Sequence, residues 1–305
     1  MTEALVIEGL GKSFGELRAV DDLSLTVREG EMFGIVGPNG SGKTTLFRML
    51  CGIMKPSAGT ARIFGHDILD GMEQIKRQIG YFSQRFTLYG DLSVDENIEF
   101  FAEIHDVPDY GEWREELLAF TRLTPFRGRL ADRLSGGMKQ KLALACTLIH
   151  RPRLILLDEP TTGVDPISRM DFWKILSALL KTNITIVMST PYLDEAERCS
   201  RVALMNKGTV MALDTPANIR GLMRGDVLEI VCGGIRAAAR LLKGADGILD
   251  VQTFGDRLNV VVEEQQAGFK QVESILGAGG IPITDWRMVK PSLENVFISL
   301  ITHAA

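Results

Sequence analysis

The chain has 305 residues, 45% hydrophobic and 24% charged, which is ordinary globular usage and excludes a disordered or fibrous protein. Its 34 basic and 39 acidic side chains leave a net charge of -5, so no overall positive field draws it to nucleic acid. At this length one large domain and one small one are expected.

Cys51, Cys146, Cys199 and Cys232 are far apart, without metal-ligand spacing or disulfide-like density, which fits a reducing compartment. Glu3, Glu8 and Lys12 interrupt any secretory-type apolar stretch, and no apolar run reaches the roughly 18 residues that span a bilayer. Any membrane crossing therefore falls to another polypeptide.

Leu5 and Ile7, then Leu23, Leu25 and Val27, alternate with polar neighbours as strands do, and Phe33 to Val36 is a short apolar strand. Leu46, Met49, Leu50 and Ile53 keep helical spacing, with Gly52 placed to stop the helix. Further strands are expected at Ile79 to Ser83, Leu154 to Asp158, Ile184 to Ser189 and Val202 to Met205. Between the first two of these, about residues 85–150, the pattern turns helical. Ser93 and Glu96 have capping-box spacing, Ile98, Phe101 and Ala102 share a face, Trp113, Leu117 and Phe120 share another, and a third helix follows Ser135.

Near Gly221 the rhythm changes, so a boundary is expected there, giving domains 1–221 and 222–305. The tail reads as strand Val227 to Val231, helix Arg236 to Lys243, strands Ile248 to Thr253 and Leu258 to Val262, helix Phe269 to Leu276, and a strand around Ile281. Gly255-Asp256 supplies a hairpin turn, and Gly277, Gly279 and Gly280 end the last long helix.

Two stretches carry phosphate chemistry. Gly37-Pro38-Asn39-Gly40-Ser41-Gly42-Lys43-Thr44 satisfies G-x-x-x-x-G-K-[ST], in which backbone amides converge on phosphate oxygens at a helix N-terminus. Lys43 would neutralise the β and γ phosphates, and the Thr44 hydroxyl would sit on Mg²⁺; Thr45 completes the loop. Leu154-Ile155-Leu156-Leu157-Asp158-Glu159 is an apolar run ending in two carboxylates, which burial would fix at the ligand-binding edge of a parallel sheet. Asp158 would hold Mg²⁺, through water, and Glu159 would polarise the attacking water. Seen alone, such a strand more often simply reaches solvent; the loop at Gly37 to Thr45 reverses that judgement.

Leu134-Ser135-Gly136-Gly137-Met138 resembles the signature of the ATP-binding-cassette (ABC) ATPases. With Gln84 in Tyr81-Phe82-Ser83-Gln84 and the stretch Asp158-Glu159-Pro160-Thr161-Thr162-Gly163-Val164-Asp165, the resemblance covers roughly residues 4–220. It implies an α/β P-loop NTPase fold, an ABC cassette with an antiparallel β subdomain and a helical subdomain, here followed by a small α+β C-terminal domain. It also implies ATP with Mg²⁺, and two cassettes facing head to tail so that each ATP lies between one phosphate loop and the other cassette's Ser135-Gly136-Gly137. Gln84 would contact Mg²⁺ and the water. Phe14, in Lys12-Ser13-Phe14-Gly15, matches the aromatic that stacks on adenine, the alternative being an ordinary core phenylalanine. Asp165 suits both its motif and an N-cap before Pro166.

The chain departs from the family after Ser189, where Ser189-Thr190-Pro191-Tyr192 puts Pro191 in place of the histidine that reaches the γ phosphate. Proline offers no donor there, and Thr190-Pro191 reads as the start of a helix from Leu193 to Arg198. The expectation is a site that binds ATP but hydrolyses it slowly, working with a non-identical partner cassette; a homodimer is the rival.

The tail, including Pro291-Ser292-Leu293-Glu294-Asn295-Val296-Phe297, resembles the C-terminal extension of bacterial drug- and antibiotic-export ATPases. The resemblance implies a cytoplasmic motor on the inner face of the cell membrane, docked through its helical subdomain on a separate transmembrane permease. A nucleotide-gated clamp or a soluble cassette not coupled to transport are the alternatives. No nucleic-acid partner is expected, since the chain has no coiled-coil insertion, second phosphate loop or basic segment.

Overall fold

The computed structural model describes residues 2–84 and 88–303, so the expected opening of the helical region at Arg85 falls outside the described residues. The chain divides into two compact units, Met1–Leu213 and Asp214–Ala305.

In the first unit, β1 (Glu3–Phe14) and β2 (Leu17–Arg28) form an antiparallel hairpin. β3 (Met32–Val36) leads into α1 (Lys43–Leu50). β4 (Ala58–Ile63) and β5 (His66–Asp67) complete a four-stranded sheet in the order β2-β1-β4-β5. After α2 (Met72–Lys76) and β6 (Ile79–Phe82) come three helices, α3 (Val94–Ile104), α4 (Gly111–Phe120) and α5 (Gly136–Leu148). The chain returns through β7 (Leu154–Asp158), α6 (Pro166–Leu180), β8 (Thr185–Thr190), α7 (Leu193–Ala196), β9 (Arg201–Asn206) and β10 (Thr209–Asp214).

The second sheet runs β10-β9-β3-β8-β7-β6, parallel from β9 to β6. Every residue of β3, β7 and β8 is buried, as expected of parallel strands covered on both faces. Both sheets share one core with α1, in which Leu5, Ile7 and Leu23 pack with Phe33, Leu46, Leu156 and Val187. Each such side chain contributes about 1.5–3 kcal/mol relative to exposure.

Local sequence signals explain several boundaries. Ser93 caps α3 with the full reciprocal box, its hydroxyl accepting from the Glu96 amide and its own amide donating to the Glu96 carboxylate. Gly52, at φ 69°, ends α1 as expected. Ile53, expected on the helix face, lies beyond the end and is 62% exposed, because the chain has already turned back to hydrogen-bond the Arg48 carbonyl. Asp165 caps α6 by accepting from the amides of Ile167 and Ser168, with Pro166 in the first turn.

The second unit begins with α8 (Pro216–Arg220), which packs on α11 (Leu293–His303); this puts the change of unit before the point near 222 where the composition shifts. Between them lie β11 (Asp226–Cys232), α9 (Ile235–Leu242), β12 (Ile248–Phe254), β13 (Arg257–Val262), α10 (Gln265–Ala278) and β14 (Ile283–Val289). The antiparallel sheet runs β12-β13-β11-β14, with β13 inserted between β11 and β12 as a split β-α-β unit requires. Leu228, Ile230, Leu258 and Val260 face α9 and α10.

Two tail expectations change. The last strand starts at Ile283 rather than around Ile281, because the Ile281 amide still bonds the Leu276 carbonyl and Pro282 follows. The glycines at 277–280 do end α10, with Gly279 as its C-cap and Gly280 at φ 70°, but Gly277 lies inside it and a further helix, α11, follows. Among the described residues no helix is long and apolar enough to cross a membrane.

Candidate functional site

The fully buried β3 delivers Gly37 to the C-terminal edge of the parallel sheet, where its amide donates to the Thr190 carbonyl of the neighbouring β8 (3.3 Å). The loop then folds over itself, the Ser41 amide donating to Pro38 O (3.2 Å). Two glycines are imposed by crowding. A Cβ on Gly37 would stand 2.0 Å from the Met205 carbonyl oxygen, and one on Gly42, at φ 104°, 2.2 Å from that of Ala19. The first amides of α1, which have no intrahelical acceptor, open at the end of this loop.

Side chains from four elements converge here. Lys43, 3% exposed, donates to Gly37 O (2.8 Å) and Pro38 O (3.0 Å) and lies 3.2 Å from Glu159 Oε1. Gln84 Nε2 donates to the other Glu159 oxygen (2.9 Å), which Thr162 Oγ1 also approaches at 3.4 Å. Thr44 Oγ1 (3.2 Å) and Ser189 Oγ (2.6 Å) both donate to Asp158 Oδ1. Burial pushes the Asp158 carboxyl above the ordinary range, the bonds from Ser189 and Thr44 opposing it.

The two acidic residues are held differently. Asp158 ends β7, its neighbour in the sheet register being Ser189 of β8. Glu159 turns out of the strand at φ 50°, a region sparsely populated by residues other than glycine, and its amide is fixed by the carbonyl and hydroxyl of Ser189.

The residues present fit a phosphate group with Mg²⁺. Asp158 Oδ2 and Ser41 Oγ are buried without a hydrogen-bond partner, two polar atoms of the kind such a group satisfies. Among the described residues no cluster of three or more His, Cys, Asp or Glu forms a metal cage.

A pocket of about 380 Å³ opens beside the loop, lined by Phe14, Leu17, Ala19, Asn39, Gly40, Gly42, Lys43, Thr44, Thr45, Gln84 and Glu159. Phe14 is 47% exposed with Lys12 Nζ 5.3 Å from its ring centroid, so it is not a core side chain. Ser135, Gly136 and Gly137 are not brought to this pocket. Ser135 caps α5 through the Met138 amide (3.3 Å), Ser135 and Gly136 are exposed, and Gly137 is closed against Ser168.

Thr190, read from sequence as part of a helix start, is instead the last residue of β8. α7 is shorter than expected, ending at Ala196, and Tyr192 precedes it without a side-chain cap. Sequence reasoning missed Ser189 and Thr162. The only signal for Ser189 is a polar residue closing an apolar strand, and the register that sets it against Asp158 is not written in the sequence.

The architecture is that of solved cassettes. The chain superposes on an ATP-binding subunit of an ABC transporter with a TM-score of 0.65 at 29% identity, over 72% of this chain and 92% of that one. The ABC transporter family model matches residues 20–162. The daunorubicin resistance ATP-binding protein DrrA2 of Streptomyces coeruleorubidus is 33% identical over 98% of this chain and 95% of its own length. The chain belongs to the ABC transporter family. This ABC subunit is also similar to the probable multidrug ABC transporter ATP-binding protein YbhF of Escherichia coli (strain K12), 38% identical, and spans 53% of that protein's length. A dimeric ATP-binding cassette in a post-hydrolysis state bound to ADP and Pi matches at TM-score 0.63 and 28% identity, over 69% of this chain and 98% of that one.

Proposed function

We propose that the chain is the ATP-hydrolysing motor subunit of an ABC exporter, driving a separate transmembrane permease through closure of two cassettes. The observation that carries the reading is the convergence of Lys43, Glu159 and Gln84, and of Thr44 and Asp158, at the phosphate loop. The relatives' names, multidrug and daunorubicin resistance among them, support export.

In this reading residues 1–213 are the cassette and 214–305 an accessory domain. The amides of Gly40 to Thr45 and the Lys43 ammonium bind the phosphates, and Phe14 stacks on the adenine. Thr44 and Asp158 hold Mg²⁺, with Gln84 beside them. When bound, the ion neutralises charge on the phosphate oxygens. Glu159 orients the attacking water and accepts its proton.

Ser135-Gly136-Gly137, exposed at the start of α5, is a second anion-binding helix terminus and serves the ATP of a partner cassette. Pro191 gives the chain's own site no donor toward the γ phosphate, which favours slow turnover here and a non-identical partner cassette with a competent site. The protein then sits in the cytoplasm, peripheral on the inner face of the membrane.

Affinity capture of the tagged full chain from its own cells tests this. Recovery of a multispanning permease with a second, different cassette is the expected result. Recovery of the permease with only this chain establishes the homodimer, and recovery of neither refutes the transport role.

A further inference from the structure

We infer that Glu195 is a positioning residue for hydrolysis, its buried carboxylate tying the segment behind Glu159 to the segment that carries Pro191; this rests on the reading of Glu159 as the group that acts on water. Glu195 is only 1% exposed, and glutamate is almost never buried so completely unless its carboxylate is partnered. Both oxygens are taken at short range: Thr161 Oγ1 donates to Oε1 and Thr190 Oγ1 to Oε2, each at 2.7 Å. Arg169 of α6 brings a guanidinium nitrogen to 3.7 Å of Oε1.

The placement of the two threonines gives this bridge its meaning. Thr161 is two residues beyond Glu159, whose backbone at φ 50° persists only if its surroundings over-determine it. Thr190 closes β8, and its carbonyl holds the amide of Gly37, the first glycine of the phosphate loop. Thr190 Oγ1 also accepts from the Tyr192 amide (3.0 Å), so the turn through Pro191 is pinned on both sides.

One carboxylate thus couples the segment that follows Glu159 to the strand end that anchors the loop. Pro191 has no side-chain donor to reach nucleotide, so this segment is located from behind, by Glu195, rather than from the pocket. A carboxylate accepts only, so both hydroxyl protons are committed to it and neither threonine can turn elsewhere without breaking the bridge. Networks of this kind in a low-dielectric setting lose more when one member is removed than a single hydrogen bond is worth.

The test measures single-turnover hydrolysis by excess full-length chain, ATP affinity by equilibrium binding, and melting temperature. Glu195→Ala should lower the hydrolysis rate about 10²-fold, the size of effect that a 1 Å misplacement produces, while ATP affinity changes less than about threefold. Glu195→Gln can accept from one threonine and donate to the other, and should stay within about fivefold of wild type, the worth of one altered hydrogen bond. Should Glu195→Ala fail to fold, Thr161→Val with Thr190→Val removes both tethers at nearly constant volume and should show the same rate loss.

A rate within twofold of wild type in folded Glu195→Ala, or in the double threonine variant, overturns the inference. So does loss of ATP affinity in step with the rate, or failure of Glu195→Gln to rescue. Glu159→Gln runs alongside. Hydrolysis that survives it overturns the reading of Glu159 and the inference with it; hydrolysis abolished by it but kept in Glu195→Ala overturns the inference alone.

Discussion

Removing the Glu159 carboxylate should destabilise the first unit as well as stop chemistry. Lys43 and Glu159 face each other at 3.2 Å with side chains 3% and 5% exposed, so neither charge has water to fall back on. Breaking a buried pair by deleting one partner costs about 3–5 kcal/mol, most of it the penalty of the stranded charge. Here the ammonium keeps Gly37 O and Pro38 O at 2.8 and 3.0 Å, which puts Glu159→Ala at the low end, about 3 kcal/mol. For a unit of this size that is a fall in melting temperature of roughly 6–12 °C. Glu159→Gln keeps an acceptor for Lys43 and should cost about 1–2 kcal/mol. The assay is thermal unfolding without nucleotide at about 0.1 M and 1 M salt, and a buried pair should show little difference between them. An alanine variant that melts within about 2 °C of wild type, or alanine and glutamine variants that melt together, would refute the reasoning.

Pro191→His should raise single-turnover hydrolysis by about 10²-fold with little change in ATP affinity, because one preorganised donor is added; an unchanged rate would show that the position does not limit turnover. Phe14→Ala should weaken ATP binding by up to about tenfold, the worth of one aromatic stack, with the melting temperature unchanged because the ring is already half-exposed; equilibrium binding and a melt check both halves. His150 supplies a pH dependence. Burial, then the neighbouring His105 ring, pushes its pKa down from 6.5 to about 4, while its bond to the Ile79 carbonyl opposes the shift. In that window the unfolded chain binds the extra proton, so the contribution is complete above 6.5 and is lost as pH falls toward 4. Urea midpoints should therefore fall between about pH 7.5 and 5, and less steeply in His150→Gln.

Much of the fold and the phosphate loop could be read from the chain because their signals are local. The apolar run Leu154 to Asp158 coincides with β7, the Ser93 capping box forms as spaced, and the tail's split β-α-β order appears as expected. The loop glycines announce themselves by spacing alone, and the structure adds the carbonyls that forbid a side chain at two of them. What stayed hidden depends on register between strands distant in sequence. Ser189 meets Asp158 across 31 residues and Thr161 meets Glu195 across 34, and no periodicity in either segment foretells the pairing. Thr190-Pro191 was misleading for a different reason: proline favours a first helical turn, but the parallel sheet kept Thr190 for its last rung, while the helix begins at Leu193 as expected.

The Lys43 ammonium donates to Gly37 O and Pro38 O and has Glu159 Oε1 3.2 Å away as its ionic partner. A phosphate oxygen approaching that ammonium competes with the groups already around it. In the proposed reading the carboxylate is the partner whose negative charge competes directly with the newcomer, so an arriving phosphate would loosen Glu159 from the lysine. On that reading the pair would work as an interlock: the lysine that takes the nucleotide would keep the glutamate engaged until there is something to hydrolyse, and idle chemistry would be prevented by occupancy rather than by distance.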